Sequence, residues 1–202
     1  MVVLAQRLDT RPGARERIVT SSYALFAQRG IRGVGVDELI RAAEVSNATF
    51  YRHFRSKDAL VMAFLERREQ VWTLGLIESE AMRRGSTPAG RLLALFDVFD
   101  EWFQRDDYEA CSFINVLLEM GSDHPLGRAS IGYLDRIRDF IRSLADEAGL
   151  RNLDDFAWSW HILMKGSIIA AAEGDHKAAL RAKAMGAQVI AQFSPSPDGV
   201  VG

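Results

Sequence analysis

The chain has 202 residues, of which 48% are hydrophobic and 26% are charged, a composition typical of a globular protein and too apolar for a disordered one. Its single cysteine, Cys111, excludes an internal disulfide framework and a cysteine-based zinc site. No run of about 18 apolar residues is present, so we expect no transmembrane helix, and the first residues lack the apolar core of a signal peptide. The expectation is a soluble, cytoplasmic protein.

The net charge of -2 hides an uneven distribution along the chain. Residues 1–57 hold ten lysines and arginines against five acidic residues, a net charge of +5, whereas the remainder holds 15 basic and 22 acidic residues, a net charge of -7. A basic N-terminal segment on an acidic remainder indicates that only this segment meets a polyanion such as nucleic acid. Chance clustering of charges on solvated surfaces is the alternative.

Helical periodicity, interrupted by glycine, proline and capping residues, runs through the chain. No stretch has the alternating β-branched pattern of a strand. Ser46 and Ser56 are predicted N-caps, Gly30 is a predicted helix end, and Thr87-Pro88 is a predicted helix start. The pattern predicts an all-α protein of about nine helices, at about 12–29, 36–43, 46–54, 57–84, a fifth beginning at 88, 109–120, a seventh ending at 148, 154–173 and a ninth ending at 193.

The second and third predicted helices are separated by a tight turn, as in a helix-turn-helix, whose second helix lies in the major groove of DNA. Phe50 and Phe54, four residues apart, are expected to face inward on that helix. The side chains left outward can reach base edges through an amide and phosphate oxygens through hydroxyl, ring or ammonium groups. The candidate DNA contacts are Ser46, Asn47, Ala48, Thr49, Tyr51, Arg52, His53 and Lys57.

Between about Arg15 and Leu65 a set of short motifs follows one order along the chain: Ala24-Leu25-Phe26, Gly30, Val36-Asp37-Glu38-Leu39-Ile40, Ala43, Val45-Ser46, Thr49-Phe50-Tyr51, His53-Phe54 and Lys57-Asp58-Ala59-Leu60. With these residues the segment resembles the DNA-binding domain of the TetR (tetracycline-repressor-like) family of bacterial transcriptional regulators. The resemblance implies that the tyrosine, histidine and lysine positions contact phosphate, and that the residues after the serine, with the threonine, probe bases. Gly35 stands where the family usually has a capping threonine, and Glu44 replaces the usual turn glycine.

The resemblance also implies the organisation of the whole chain. We expect an N-terminal three-helix DNA-binding domain at 1–58 and a helical ligand-binding and dimerisation domain at 59–193. The remaining residues, 194–202, are rich in serine and proline and are predicted to be a disordered tail. A structural helical hairpin without a nucleic-acid partner is the alternative for the first domain.

The second domain is expected to form a homodimer through its last two helices, whose many small residues permit close packing; packing within one chain is the alternative. A small-molecule pocket is implied among its middle helices, although aromatic stripes at this spacing are also typical of a plain core. Cys111 is either an inert thiol or a sensor of oxidants or electrophiles. The candidate ligand contacts are Phe96, Phe99, Trp102, Phe103, Phe113, Asn115, Glu119, Tyr133, Trp158 and His161.

The predicted function is sequence-specific regulation of transcription, by a dimeric repressor that a small apolar or aromatic ligand releases from a double-stranded DNA operator. The four histidines show no paired ligand spacing, so neither a metal nor another cofactor is expected, and no membrane partner is expected. A small all-α enzyme and a DNA-free protein adaptor are the alternatives. The sequence has no nucleophile–base pair, phosphate loop or dinucleotide fingerprint, so we expect no enzyme activity.

Overall fold

The computed structural model of the chain describes residues 12–195. Across that range the regular structure is entirely helical, which confirms the predicted fold class. The helices are α1 (Ala14–Arg29), α2 (Val36–Ala42), α3 (Asn47–His53), α4 (Lys57–Arg68), a π-helical segment (Glu69–Glu78), α5 (Ser79–Arg84), α6 (Pro88–Phe103), α7 (Ser112–Met120), α8 (Pro125–Glu147), α9 (Leu153–Ala172) and α10 (Ala178–Phe193). Because α4, the π-helical segment and α5 follow one another without a break, the described residues form nine continuous helices.

Ser46 and Thr87 are the N-cap residues of α3 and α6, as predicted. The hydroxyl of Ser46 accepts a hydrogen bond from the backbone N–H of Thr49 at 3.2 Å. In the same way the Thr87 hydroxyl accepts from Gly90 N–H at 3.0 Å, and Pro88 occupies the first turn of α6. Such caps satisfy backbone donors that the helix itself leaves without partners.

One helix boundary differs from the sequence prediction. Helix α7 begins at Ser112, not at 109, so Cys111 precedes the helix instead of lying inside it. The segment before α7 is held by Tyr108, whose hydroxyl donates a 2.6 Å hydrogen bond to the carbonyl oxygen of Ile168. The same ring contacts Trp102, with 5.1 Å between ring centroids. These tertiary contacts outweigh the helical propensity of the segment.

The π-helical segment Glu69–Glu78 was not predicted. A π-helix closes each hydrogen bond over five residues; it is rare in proteins and is frequently found at functional sites. Gly75 suits this wider turn, because a Cβ atom there would lie 2.9 Å from the carbonyl oxygen of Gln70, five residues earlier.

The described residues form two compact units, one ending at Phe64 and the other beginning at Leu65. The predicted domain boundary at 58 falls in α4, inside the first unit. In the first unit α1 packs on α2 and α3. Of the predicted tail, Ser194 caps α10 through its backbone N–H and the Ile190 carbonyl, and residues 196–202 lie outside the described residues.

The second unit is a helical bundle in which α9 and α10 pack on each other, α6 packs on α10, and α8 packs on α9 and α6. Trp160, fully buried on α9, lies at its centre. Its ring centroid is 5.3 Å from that of Phe96 and 5.4 Å from that of Phe156. Gly186 on α10 leaves room for this ring, because a Cβ atom there would lie 2.8 Å from Trp160 Cη2.

We expect Gly186→Ala to destabilise the second unit by about 1–3 kcal/mol, because the added methyl group overpacks the rings of Trp160 and Phe96. The matched control is Gly132→Ala in the interior of α8, where a Cβ atom meets nothing within 4 Å. This control is expected to stabilise the unit by about 1 kcal/mol through helix propensity alone. Urea unfolding followed by tryptophan fluorescence measures both, and a stable Gly186→Ala variant would contradict the packing argument.

Candidate nucleic-acid interface and apolar cavity

Helix α3 has one buried face and one exposed face, as the sequence predicted. Phe50 and Phe54 are buried, at 0% and 3% exposure. Of the candidate DNA contacts on α3 and at its cap, Ser46, Asn47, Ala48, Tyr51, Arg52 and His53 are exposed and Thr49 is half-buried. The structure therefore brings these predicted residues together on one solvent-facing surface, which we call the α3 surface.

The polar groups of the α3 surface are largely uncommitted. The side chains of Asn47, Arg52 and His53 make no hydrogen bond or ion pair to any described residue. Tyr51 is 51% exposed, and its ring makes only an edge contact with Phe50 at 5.4 Å between centroids. Ser46 and Thr49 are joined by a 3.0 Å hydrogen bond between their hydroxyls. The surface offers one amide, three hydroxyls, one guanidinium and one imidazole to a partner.

The turn between α2 and α3 is clamped by an arginine from α1. Arg17 Nε donates to the carbonyl oxygen of Ala43 at 3.2 Å, and Nη2 donates to that of Glu44 at 3.3 Å. Glu44 has a positive φ of 51°, the region in which glycine is favoured. The backbone at this position is therefore left-handed, which explains why the family usually has a glycine there. In this chain a glutamate adopts that conformation.

Lys57 takes part in a second backbone contact of the first unit. Its Nζ donates to the carbonyl oxygens of Ile31 and Val34, at 2.9 and 3.2 Å. The side chain is half-buried and fixes the loop between α1 and α2. The sequence did not predict this structural role. Because Nζ carries three protons and donates two of them here, one remains for a phosphate oxygen.

The N-terminus of α2 lacks a side-chain cap. Gly35 is its N-cap residue and has no side chain to accept from the helix N–H groups. A Cβ atom at this position meets nothing within 4 Å, so the site has room for the threonine that the family usually places there.

The second unit contains an apolar cavity of about 50 Å³. Four of the candidate ligand contacts line it, namely Phe99, Trp102, Phe113 and His161. The π-helical segment contributes Trp72, Thr73, Ile77 and Glu78 to the wall. The other lining residues are Arg68, Leu95, Cys111, Ile114, Leu134, Ile137, Phe140, Ile141, Met164, Lys165 and Ile168.

Polar groups of α9 and α4 face this apolar cavity. His161 is 2% exposed, and its Nδ1 has no hydrogen-bond partner among the described residues. Burial, and then the positive charges of Lys165 and Arg138, lower the pKa of His161 to about 3, so its imidazole is neutral at neutral pH. Burial also lowers the pKa of Lys165. The guanidinium of Arg68 lies 4.5 Å from the centroid of the Trp72 ring. Of these groups, sequence reasoning found only His161.

Cys111 lies in the cavity wall directly before α7. Burial raises the pKa of its thiol, which disfavours the thiolate, the reactive form of cysteine. This environment favours an unreactive thiol over a sensor.

The remaining candidate ligand contacts lie outside the cavity wall. Phe96 and Phe103 are buried in the core of the second unit. Tyr133 stacks on Phe113 with 4.9 Å between centroids. Asn115 is exposed and Glu119 half-buried. Trp158 is 51% exposed, and the Arg138 guanidinium lies 3.8 Å from its ring centroid. Ligand contact by these six residues stays a prediction.

Residues 18–64 match the family model described as bacterial regulatory proteins, tetR family. Over these residues the chain is similar to the DNA-binding domain of the TetR family. The matched range ends where the first compact unit ends, at Phe64, and contains all of the residues that carry the resemblance.

Among curated relatives, the chain is 30% identical to the helix-turn-helix transcriptional repressor NemR of Escherichia coli over 112 residues, which are 55% of this chain and 56% of NemR. It is 41% identical to an uncharacterised regulator of Mycobacterium tuberculosis over 54 residues, 27% of each chain. The chain spans about half the length of NemR in this match, and less of the second relative.

Solved structures extend the likeness in fold to nearly the whole chain. A TetR-family regulator from Streptomyces coelicolor aligns with a TM-score of 0.83 at 23% identity, covering 92% of both chains. The reduced form of E. coli NemR aligns with a TM-score of 0.76 at 23% identity, covering 92% of this chain and 98% of NemR. These comparisons establish the TetR fold for both units. Within residues 12–195, no helix has the length and hydropathy to cross a membrane.

We expect His161 to make the protein less stable in mild acid. Because its pKa falls from 6.5 to about 3 on folding, the unfolded chain binds the extra proton between these pH values, and stability falls as the pH is lowered. Between pH 7 and pH 5 the wild type should lose about 2 kcal/mol more unfolding free energy than His161→Gln. Urea unfolding at each pH measures the difference. His176→Gln, at an exposed histidine of the same unit, is the control and should behave as the wild type; an equal acid loss in His161→Gln would refute the assignment.

Proposed function

We propose that this protein is a dimeric, DNA-binding transcriptional repressor that a small ligand releases from its operator. The α3 surface is the observation that supports DNA binding. The inner face of this short helix is buried, and its outer face presents hydrogen-bonding groups that are largely available to a partner. As a regulator bound to bacterial DNA, the protein would act in the cytoplasm.

The chemistry of the α3 surface supports two kinds of contact with DNA. Asn47 can hydrogen-bond to an adenine edge, and Ala48 is small enough for close approach to the bases. Tyr51, Arg52 and His53 can donate to phosphate oxygens, contacts that orient a protein on DNA without selecting a sequence. The charge of +5 over residues 1–57 adds sequence-independent attraction.

Mobility shifts with DNA from upstream of the protein's own coding region test this division. Tyr51→Phe and Arg52→Ala are expected to weaken binding to all sequences by about 3- to 30-fold, and Arg52→Ala should lower the slope of log K against log salt by about 1. Asn47→Ala should cost about 1–3 kcal/mol on the preferred sequence and less on others.

Lys177→Ala is the matched control for Arg52→Ala, because it removes an exposed cation of the second unit. It should leave affinity and salt slope unchanged. The absence of a salt-sensitive, sequence-selective shift in the wild type would overturn the DNA-binding proposal.

A reporter strain distinguishes a repressor from an activator. Loss of the gene for a repressor raises transcription from the operator, whereas loss of the gene for an activator lowers it.

Exposed apolar side chains on the last two helices support the proposed homodimer. Ile162 on α9 is 63% exposed and Met185 on α10 is 57% exposed. Trp158, Ile169 and Leu180 add further exposed apolar surface to the same two helices. Apolar surface of this kind is typical of an interface. Two-fold pairing would present two copies of α3 to half-sites about 34–36 Å apart.

We expect the wild type to sediment as a dimer and Ile162→Asp to sediment as a monomer, because a carboxylate buried in an apolar interface is costly. Leu118→Asp is the control, since Leu118 on α7 is 77% exposed and lies outside the proposed interface. Sedimentation velocity gives the mass of each. A monomeric wild type, or monomers from Leu118→Asp alone, would refute an interface on α9 and α10.

The cavity of the second unit supports ligand control. A ligand changes DNA affinity only if it binds the DNA-competent and DNA-incompetent conformations with different affinities. Aromatic side chains dominate the cavity wall, so an apolar or aromatic ligand body fits it best.

A further inference from the structure

Two polar residues of α9, His161 and Lys165, line the apolar cavity. His161 Nδ1 has no hydrogen-bond partner among the described residues. Lys165 Nζ makes no hydrogen bond or ion pair to any of them, and it lies 5.7 Å from the centroid of the Trp158 ring. Because His161 and Lys165 are four residues apart on one helix, they lie on the same face, one turn from each other.

Leaving such groups unpaired costs stability. A buried donor or acceptor without a partner loses its hydrogen bonds to water and gains nothing in return, and an unpaired ammonium costs more. Asp135 is an acid whose negative charge acts on Lys165, but its carboxylate is already paired with Arg138. A group that accepts hydrogen bonds inside the cavity would satisfy both residues of α9 at once.

The charges around the cavity indicate the sign of that group. Lys165 and Arg68 are both cations of the cavity wall, and Arg68 is only 7% exposed. Glu78 is the one acidic side chain of the wall. Two cationic side chains against one acidic side chain give the wall a formal charge of +1, so an anionic group is favoured over a cationic one.

The rest of the wall indicates what the anionic group is attached to. Phe99, Trp102 and Phe113 supply aromatic surface, and α8 supplies mostly branched and aromatic side chains. The volume of about 50 Å³ allows only a small molecule.

We propose that the cavity binds a small organic carboxylate with an aromatic or branched apolar body, whose carboxylate accepts hydrogen bonds from Lys165 Nζ and from the imidazole N–H of His161. As a neutral imidazole, His161 donates through whichever nitrogen carries the proton. The inference names the ligand class of the regulatory site, and its regulatory meaning rests on the proposed repressor function.

Binding to the purified full chain without DNA tests the ligand class. The probes are benzoate and isovalerate, their neutral counterparts benzamide and isovaleramide, the cation benzylamine, and inorganic phosphate. Calorimetry gives each affinity, and thermal unfolding gives each stabilisation. We expect at least one carboxylate to bind about tenfold or more tightly than its own amide, and neither benzylamine nor phosphate to bind measurably.

The variants assign this preference to residues. Lys165→Met retains the length of the side chain and should reduce the carboxylate-to-amide preference to about one, while affinity for the amide changes less than about twofold. His161→Gln should reduce the preference about three- to tenfold. Lys177→Met and His176→Gln, at exposed positions of the same unit, should leave it unchanged.

Folding does not confound the comparison, because removing an unpaired, half-buried cation should leave the melting temperature of Lys165→Met equal to that of the wild type or higher. If that variant does not fold, Lys165→Gln replaces it. Equal affinity for carboxylate and amide, no binding by either carboxylate, or a preference that survives Lys165→Met would each overturn the proposal.

The result is separable from the repressor function. Selective carboxylate binding by a protein that fails to shift DNA would retain the ligand class and overturn the repressor proposal. DNA binding by a protein that fails the carboxylate test would do the reverse.

Discussion

Burial of Phe50 and Phe54 is the constraint on which the proposed DNA interface depends. Each ring contributes roughly 2–3 kcal/mol by leaving water, and their spacing of four residues fixes which side of α3 faces the core. Once these rings are inside, the positions between them can only face outward, so Tyr51, Arg52 and His53 share one surface. The amphipathic period thus determines the interface before any contact with DNA is made.

The same reasoning explains how far the sequence predicts the structure. Periodicity and caps predicted the nine helices, because burial and backbone satisfaction act within a few residues, as at Ser46 and Thr87. The π-helical segment escaped prediction, since Gly75 there looks like any helical glycine. Lys57 has the composition of a phosphate contact, and only the fold shows its hydrogen bonds to Ile31 and Val34. A core and a cavity wall both show aromatic residues at three- and four-residue spacing. The sequence therefore could not predict that Phe99 lines the cavity and Phe96 does not.

The turn before α3 shows how a departure from the family pattern is accommodated. A non-glycine residue in the left-handed region destabilises the fold by roughly 1–2 kcal/mol. Glu44, with φ 51°, lies in this region. The two hydrogen bonds from Arg17 to the turn carbonyls, each contributing about 1 kcal/mol, offset this destabilisation. We infer that Arg17 holds the helix-turn-helix geometry and that the family's glycine is dispensable where such a clamp is present.

The cavity obeys a different rule from the α3 surface, although both leave polar groups without partners. On a surface, water satisfies the hydrogen-bonding groups of Asn47 or Arg52 at little cost. Within a wall lined by Phe99, Trp102 and Phe113, water is scarce, and the unpaired Nδ1 of His161 lowers stability in the unliganded state. Sites that violate the packing rules of a fold at a cost in stability are those where function is expected. The free energy withheld from folding at His161 and Lys165 becomes available when a ligand supplies the missing acceptor, so a molecule small enough for the cavity can still bind with specificity.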